Sequence, residues 1–162
     1  MSPPPQRLLN ILDAMRELER SLSQLYGKCA EAWPEGKDLW QKLSRDEELH
    51  AQYVEKMAEL VKGNPDAFEL NPSFKSAASA TFIKYVASVV GKVDSHSVTH
   101  DTMLFLARDI EQALLEAKYS EVVKTRHAEY RALLTQLIKD TEGHRDSLAQ
   151  KIGASQGGRR QK

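Results

Sequence analysis

Three observations predict an all-α domain. Apolar residues recur at spacings of three and four and never alternate over a strand length. Outside the termini the strong breakers cluster at Pro34-Glu35-Gly36, Gly63-Asn64-Pro65, Asn71-Pro72 and Gly91, leaving long uninterrupted segments between them. Those segments match the lengths of bundle helices rather than of strands.

The first helix is predicted from about Pro5 to Trp33, where Pro34 stops it. Its stripe is Leu8, Leu12, Met15, Leu18, Leu22, Leu25, Tyr26, Cys29 and Trp33. The second runs from about Lys37 to Val61, with Leu39, Trp40, Leu43, Val54, Met57 and Val61 on one face and Gly63 as its C-terminal cap. Residues 63–72 read as a loop. Asn71 as N-cap and Pro72 at the first helical position then open a shorter helix carrying Phe74, Ala78, Phe82, Tyr85, Val86 and Val89, which Gly91 ends. A short helix between two long pairs is what a crossover connection in a bundle looks like. Ser97 or Thr99 starts the next long helix, with Leu104, Ala107, Ile110, Leu114 and Ala117 on its stripe, reaching Val122. The last carries Tyr130, Leu134, Leu137, Ile138, Leu148 and Ile152, with Thr125 as its cap. The expected organisation is therefore a helical domain over 1–152 and a flexible basic tail over 153–162.

Composition narrows the function. The 162 residues suffice for one domain with a core. Lys+Arg and Asp+Glu balance at 23 each, but residues 151–162 hold Lys151, Arg159, Arg160 and Lys162 and no acid, so the body is slightly acidic. That gives no electrostatic footprint for nucleic acid. No apolar run reaches the length of a membrane span and no secretory signal is visible, so the expected setting is cytoplasmic. With one cysteine, Cys29, there is no intrachain disulfide and no Cys-x-x-Cys motif.

The informative residues are polar ones inside apolar stripes. Glu19 lies four after Met15 and three before Leu22. Glu47 lies four after Leu43, and His50 lies three after Glu47 and four before Val54. Glu111 lies four after Ala107 and three before Leu114; His144 lies seven after Leu137 and four before Leu148. One such Glu alone reads as an edge residue with its head group in water. The same feature on all four long helices reads as a site, because a buried carboxylate needs a partner, a proton or a metal. His96 and His100, spaced i, i+4 near a helix start, read as a solvated end rather than a surface metal site. Met15 and Met57 are at core spacing and read as packing.

These residues resemble the ferritin-like superfamily and its rubrerythrin-type branch, in which a Glu from each of two helices and a Glu-x-x-His from each of the other two hold a di-metal centre inside an antiparallel four-helix bundle. Glu19, followed by Tyr26 in Glu-Arg-Ser-Leu-Ser-Gln-Leu-Tyr, looks like the first ligand. Asp46-Glu47-Glu48-Leu49-His50 looks like the first Glu-x-x-His, and Glu111 in Ala-Arg-Asp-Ile-Glu-Gln-Ala-Leu-Leu-Glu resembles the third-helix ligand. Asp140-Thr141-Glu142-Gly143-His144 lies where the second Glu-x-x-His belongs, but Thr141 stands in place of the Glu, and Glu142 points about 100° further round the helix. The missing group would be a bridging carboxylate.

The resemblance implies a bundle with a short extra helix in the crossover, an iron centre without haem, and Fe(II) oxidation coupled to reduction of O2 or peroxide. Manganese or zinc suits the same donors. Glu19 and His50 would hold one metal and Glu111 and His144 the other, with Glu47 bridging; Asp46 or Asp140 would orient the imidazoles. With no rubredoxin-type Cys-x-x-Cys module, an electron donor would be a separate molecule. The apolar residues Trp33, Trp40, Phe105 and Leu115 exceed one inward stripe, and ferritin-like chains commonly pair, so a homodimer is expected. Two alternatives stay open: a metal-free helical interaction module, which Thr141 favours, and iron handling or sensing without turnover.

Overall fold

The computed structural model describes residues 4–72, 77–117 and 119–160. Among them are five α-helices, α1 (Pro4–Ala32), α2 (Lys37–Gly63), α3 (Ala77–Asp94), α4 (His100–Glu116) and α5 (Ala128–Arg160), and a two-stranded ribbon of β1 (Phe68–Leu70) and β2 (Val123–Thr125). The all-α class holds, with that ribbon as an addition.

Side-chain pairs give the helix directions. Ser23 meets Ser44 while Arg20 reaches Glu55, so α1 and α2 are antiparallel, joined by the 3₁₀ turn Pro34–Gly36. His50 meets Asp140 while Asp46 meets His144, so α5 is antiparallel to α2. Arg145 meets Gln112 while Ser155 reaches Asp101, so α4 is antiparallel to α5. The helices α2 and α4 therefore run the same way, and the chain must travel back along the fold between them. Residues 64–99 do this through β1 and α3, which packs on α1.

Among the described residues most of the predicted stripe positions are buried or half-buried; Tyr85 of α3 and Ala117, which lies past the end of α4, are exposed instead. Leu8, Leu12, Met15, Leu18, Leu22, Leu25, Tyr26 and Cys29 from α1 join Trp40, Leu43, Val54, Met57 and Val61 from α2 in one apolar core, with Ile110 of α4 and Leu148 of α5. Trp40 is wholly buried within the chain, so it is not left over for pairing with a second copy; Trp33, Phe105 and Leu115 are half-buried.

Several boundaries differ from the sequence expectation, each for a local reason. The fourth helix stops at Glu116 rather than reaching Val122, because Val122 and Val123 turn inward and β2 pairs with β1 in the register Phe68↔Thr125 and Leu70↔Val123. Thr125 is not a helix cap: its hydroxyl donates to Ala67 O at 2.7 Å and accepts from His127 N–H at 3.1 Å, closing the ribbon. Asn71 also serves the ribbon, its amide N–H donating to Val122 O at 2.8 Å and its side chain to Glu121 O. The crossover helix does not open at Pro72 as expected: Asn71 and Pro72 are non-helical, residues 73–76, Phe74 among them, lie outside the described residues, and α3 is described from Ala77. That helix runs past Gly91 to Asp94. It ends with His96 at φ 54°, Ser97 N–H bonding Lys92 O and His96 N–H bonding Val93 O, the pattern of a left-handed C-terminal cap. Gly63 is the last residue of α2 and Asn64 follows outside the helical region at φ −150°, ψ 69°. The last helix continues through the expected tail to Arg160.

Candidate metal centre

The five residues singled out in sequence converge. Glu19, Glu47, His50, Glu111 and His144 are each at most 3 % exposed and sit inside the apolar core. Each arrives there because it occupies an inward position of a long helix whose neighbouring turns are apolar. Two triads form. Glu19, Glu47 and His50 place one ligand atom each within 4.8 Å of one another, and so do Glu47, Glu111 and His144. Glu47 belongs to both.

The histidines fix the chemistry of the arrangement. His50 turns Nδ1 towards Glu47 Oε2 at 3.0 Å and Nε2 outward to Asp140 Oδ2 at 3.2 Å. His144 turns Nδ1 towards Glu47 Oε1 at 3.1 Å and Glu111 Oε2 at 3.6 Å, and Nε2 outward to Asp46 Oδ2 at 3.0 Å. The rings face each other with centroids 5.4 Å apart. Each Asp lies four residues before one His and holds the other, so the support is reciprocal between α2 and α5. Both Asp side chains are themselves held, Asp46 by Lys42 Nζ at 2.6 Å and Asp140 by Gln136 Nε2 at 2.7 Å. A carboxylate on the outer nitrogen sets the ring plane and leaves the inner nitrogen for a ligand.

Several inner atoms lack hydrogen bonds. Glu19 Oε2, Glu47 Oε1, Glu111 Oε2 and His144 Nδ1 are buried without a hydrogen-bond partner. Glu47 Oε1 and His144 Nδ1 are 3.1 Å apart yet are not aligned for a hydrogen bond. Buried polar atoms without partners are costly. In the second triad Glu47 Oε1, Glu111 Oε2 and His144 Nδ1 all lack one, whereas in the first Glu47 Oε2 and His50 Nδ1 bond each other and Glu19 Oε2 is the orphan. Each triad could hold a metal ion, and its carboxylate and imidazole donors are the set that suits iron, manganese and zinc.

Without an ion, protons carry the balance. Burial pushes the Glu19 carboxyl well up, and the Glu47 charge beside it pushes the same way. Burial and Glu47 likewise raise Glu111 to about 7. Glu47 goes the other way: burial alone would raise it, but the imidazoles of His144 and His50 beside it outweigh that and hold it ionised. Burial would lower His144, yet Glu111 and Glu47 lift it to about 11; His50 is raised by Glu47 and Asp140 against the same burial cost. The metal-free centre is thus one ionised carboxylate clamped between two imidazoles, with neighbouring acids inclined to keep their protons.

Thr141 is buried on the inward face of α5, and its hydroxyl donates to Leu137 O at 2.8 Å. It brings no second bridging carboxylate. A cavity of about 210 Å³ lies there instead, lined by Glu19, Leu114, Leu137, Thr141, Glu142 and Arg145 among others. Glu142 is exposed and stands on this cavity rather than in the centre. His96 and His100 belong to no cluster of three or more candidate ligands among the described residues; His100 is not a solvated end, because it stacks on Trp33 and accepts from Trp40.

Sequence reasoning assigned no role to Tyr26, Lys42 or Gln136. Tyr26 O–H donates to Glu111 Oε1 at 2.7 Å, which leaves Oε2 as that carboxylate's inward atom. Its signal was present: Tyr26 lies seven residues after Glu19 on the same stripe. Lys42 and Gln136 each stand four before an orienting Asp, the spacing of helix side-chain pairs. Comparisons with protein-family models, curated proteins and solved structures return no match, so the centre's geometry carries the functional reading.

Proposed function

We propose that this chain is a ferritin-like four-helix protein of the rubrerythrin type, binding iron between its long helices, with Glu47 shared by two metal positions. The observation that carries the reading is the pair of imidazoles turned Nδ1-inward onto a shared carboxylate and held at Nε2 by Asp140 and Asp46. Iron bound there would supply Fe(II) oxidation coupled to reduction of O2 or peroxide. Manganese and zinc compete for the same donors.

The chain's own residues have separable jobs in this proposal. Asp46 and Asp140 present the imidazoles in the ligating tautomer, and Tyr26 fixes the rotamer of Glu111. The surrounding Leu and Val side chains exclude bulk water, which strengthens every charge interaction inside. Beside Thr141 the cavity reaches Glu19 and gives a small oxidant a way in. Turnover in this proposal would draw its electrons from a donor separate from the bundle.

The test is metal content after expression without chelators, followed by anaerobic Fe(II) titration. Stoichiometric iron that disappears in Glu47→Ala supports the proposal; a metal-free chain that takes up no Fe(II) overturns it and leaves the helical interaction module. Thr141 favours a second reading, iron handling without turnover, because it removes a bridge. Peroxide consumption by the iron-loaded chain separates the two. Pairing of two chains through Trp33, Phe105 and Leu115 is proposed on the part of each that stays exposed, and sedimentation as a monomer would remove it.

A further inference from the structure

A row of aromatic rings leads away from the centre. Tyr26, whose hydroxyl bonds Glu111, packs on Trp40 with centroids 5.7 Å apart. Trp40 lies 6.5 Å from Trp33, and Trp33 stacks on His100 at 5.2 Å with the planes 18° apart. Tyr26 and Trp40 are fully buried; Trp33 is half-buried. The row ends where His100, with Glu35, Thr99 and Lys151, lines a surface cavity of about 950 Å³.

Packing alone would place rings in a core, but two details go beyond packing. Trp40 Nε1–H donates to His100 Nε2 at 3.0 Å, so the indole proton has an acceptor. Burial lowers the pKa of His100, which leaves the imidazole neutral and that nitrogen bare. Gly36, in the turn between α1 and α2, makes room for this contact. A Cβ there would stand 2.7 Å from His100 Cε1 and 3.1 Å from Trp40 Nε1. A side chain at 36 would press on both rings and disturb their bond.

We propose that Tyr26, Trp40 and Trp33 form an electron relay between the buried centre and the surface cavity beside His100, with His100 as the proton acceptor for Trp40. A one-electron oxidant at the centre takes an electron from Tyr26, whose phenol proton moves along its hydrogen bond to Glu111 Oε1. Trp40 refills Tyr26, which recovers its proton, and the Trp40 Nε1 proton passes to His100 Nε2. A small one-electron reductant in the cavity returns an electron to Trp40 through Trp33, and His100 gives the proton back. The net change is one electron carried from reductant to oxidant, with no proton gained or lost by the chain. The biological oxidant rests on the metal reading above; the relay itself can be tested without metal.

The test is pulse radiolysis of the metal-free full-length chain with azidyl radicals, which oxidise tryptophan. The absorption of the tryptophanyl radical is expected to decay into that of a tyrosyl radical in a phase independent of protein concentration. Tyr26→Phe should remove that phase although other tyrosines remain. Trp40→Phe should remove it although Trp33 still forms a radical. His100→Gln should slow it severalfold and reduce, without abolishing, its dependence on solvent deuterium, since the Tyr26 phenol proton still moves. An unchanged phase in Tyr26→Phe or Trp40→Phe overturns the relay; should Trp40→Phe fail to fold, an unchanged phase in both Tyr26→Phe and His100→Gln does the same. A relay phase in a chain that binds no metal removes the metal reading and keeps the relay; metal binding with no relay phase does the reverse.

Discussion

The helix pairs α1–α2 and α4–α5 present nearly the same groups to the centre. The first offers Glu19, then Asp46, Glu47 and His50; the second offers Glu111, then Asp140, Thr141 and His144. Each pair ends in an imidazole held by the other's Asp, at 3.2 Å for His50 and 3.0 Å for His144. One position breaks the equivalence. Glu47 reaches both imidazoles, while Thr141 hydrogen-bonds its own helix and leaves a cavity. The difference teaches that the orienting frame and the bridging charge are separate features. The frame is present twice and the bridging carboxylate once.

Removing the shared carboxylate is the largest way to break the comparison. Glu47→Ala takes a donor from both triads at once and leaves His50 and His144 without the carboxylate between them. Metal binding at both positions is expected to be lost, read by elemental analysis and calorimetry. Retention of one tightly bound ion would show that the triads do not share Glu47.

The orienting aspartates give the next largest effect, and it should be crossed. Asp140→Ala frees His50, and Asp46→Ala frees His144. Each is expected to weaken binding about 10–100-fold, the usual effect of losing such a partner. The loss should fall on the triad fed by the opposite helix, separable as steps in a titration. Equal losses on both steps from either variant would show that the aspartates serve general stability instead.

How much of this was legible follows from which signals survive in one dimension. Glu19, Glu47, His50, Glu111 and His144 could be read because helical periodicity states which face a residue occupies, and a carboxylate on an apolar face is conspicuous. Asp46 and Asp140 were readable as orienting groups, but not that each serves the other helix's histidine, since that depends on how α2 and α5 approach. The ribbon escaped because each strand has three residues, too few for alternation to register, and because no Gly or Pro marks the end of α4. The Trp40–His100 bond joins residues sixty apart and depends on the bare backbone of Gly36, so nothing local announces it.

Restoring the missing group sharpens the comparison. Three carboxylates facing two divalent ions leave one net positive charge, and the second position has only Glu111, His144 and a share of Glu47. The unaltered chain should therefore bind one ion tightly at Glu19, Glu47 and His50 and a second weakly or not at all. Thr141→Glu would place a fourth carboxylate into the adjoining cavity, raise stoichiometry towards two ions per chain and strengthen oxidant turnover. Two equivalent ions in the unaltered chain, or unchanged occupancy in Thr141→Glu, would defeat this asymmetry.

The smallest effect is set by protons and has a definite sign. In the metal-free chain Glu19 and Glu111 keep protons above their usual range, Glu111 to about 7, and His144 keeps its proton to about 11. Between the ordinary carboxylate pKa and these raised values the folded state holds more protons than the unfolded one, so stability from these groups falls as pH rises. Glu47, held low, contributes the opposite slope, but only below the ordinary carboxylate range. The centre's contribution to metal-free stability should therefore peak near about pH 5 and decline towards about pH 8. A bound ion reverses this, because it needs ionised carboxylates and neutral imidazoles and so expels the protons that acid supplies. Thermal melts at the two pH values, with and without Fe(II) under anaerobic conditions, should show the metal-free chain losing stability with pH while the stabilisation by metal grows. The Glu111→Gln variant should flatten the metal-free slope between those pH values, since its side chain has no proton to hold. A slope unchanged by that substitution would place the titrating groups elsewhere in the molecule.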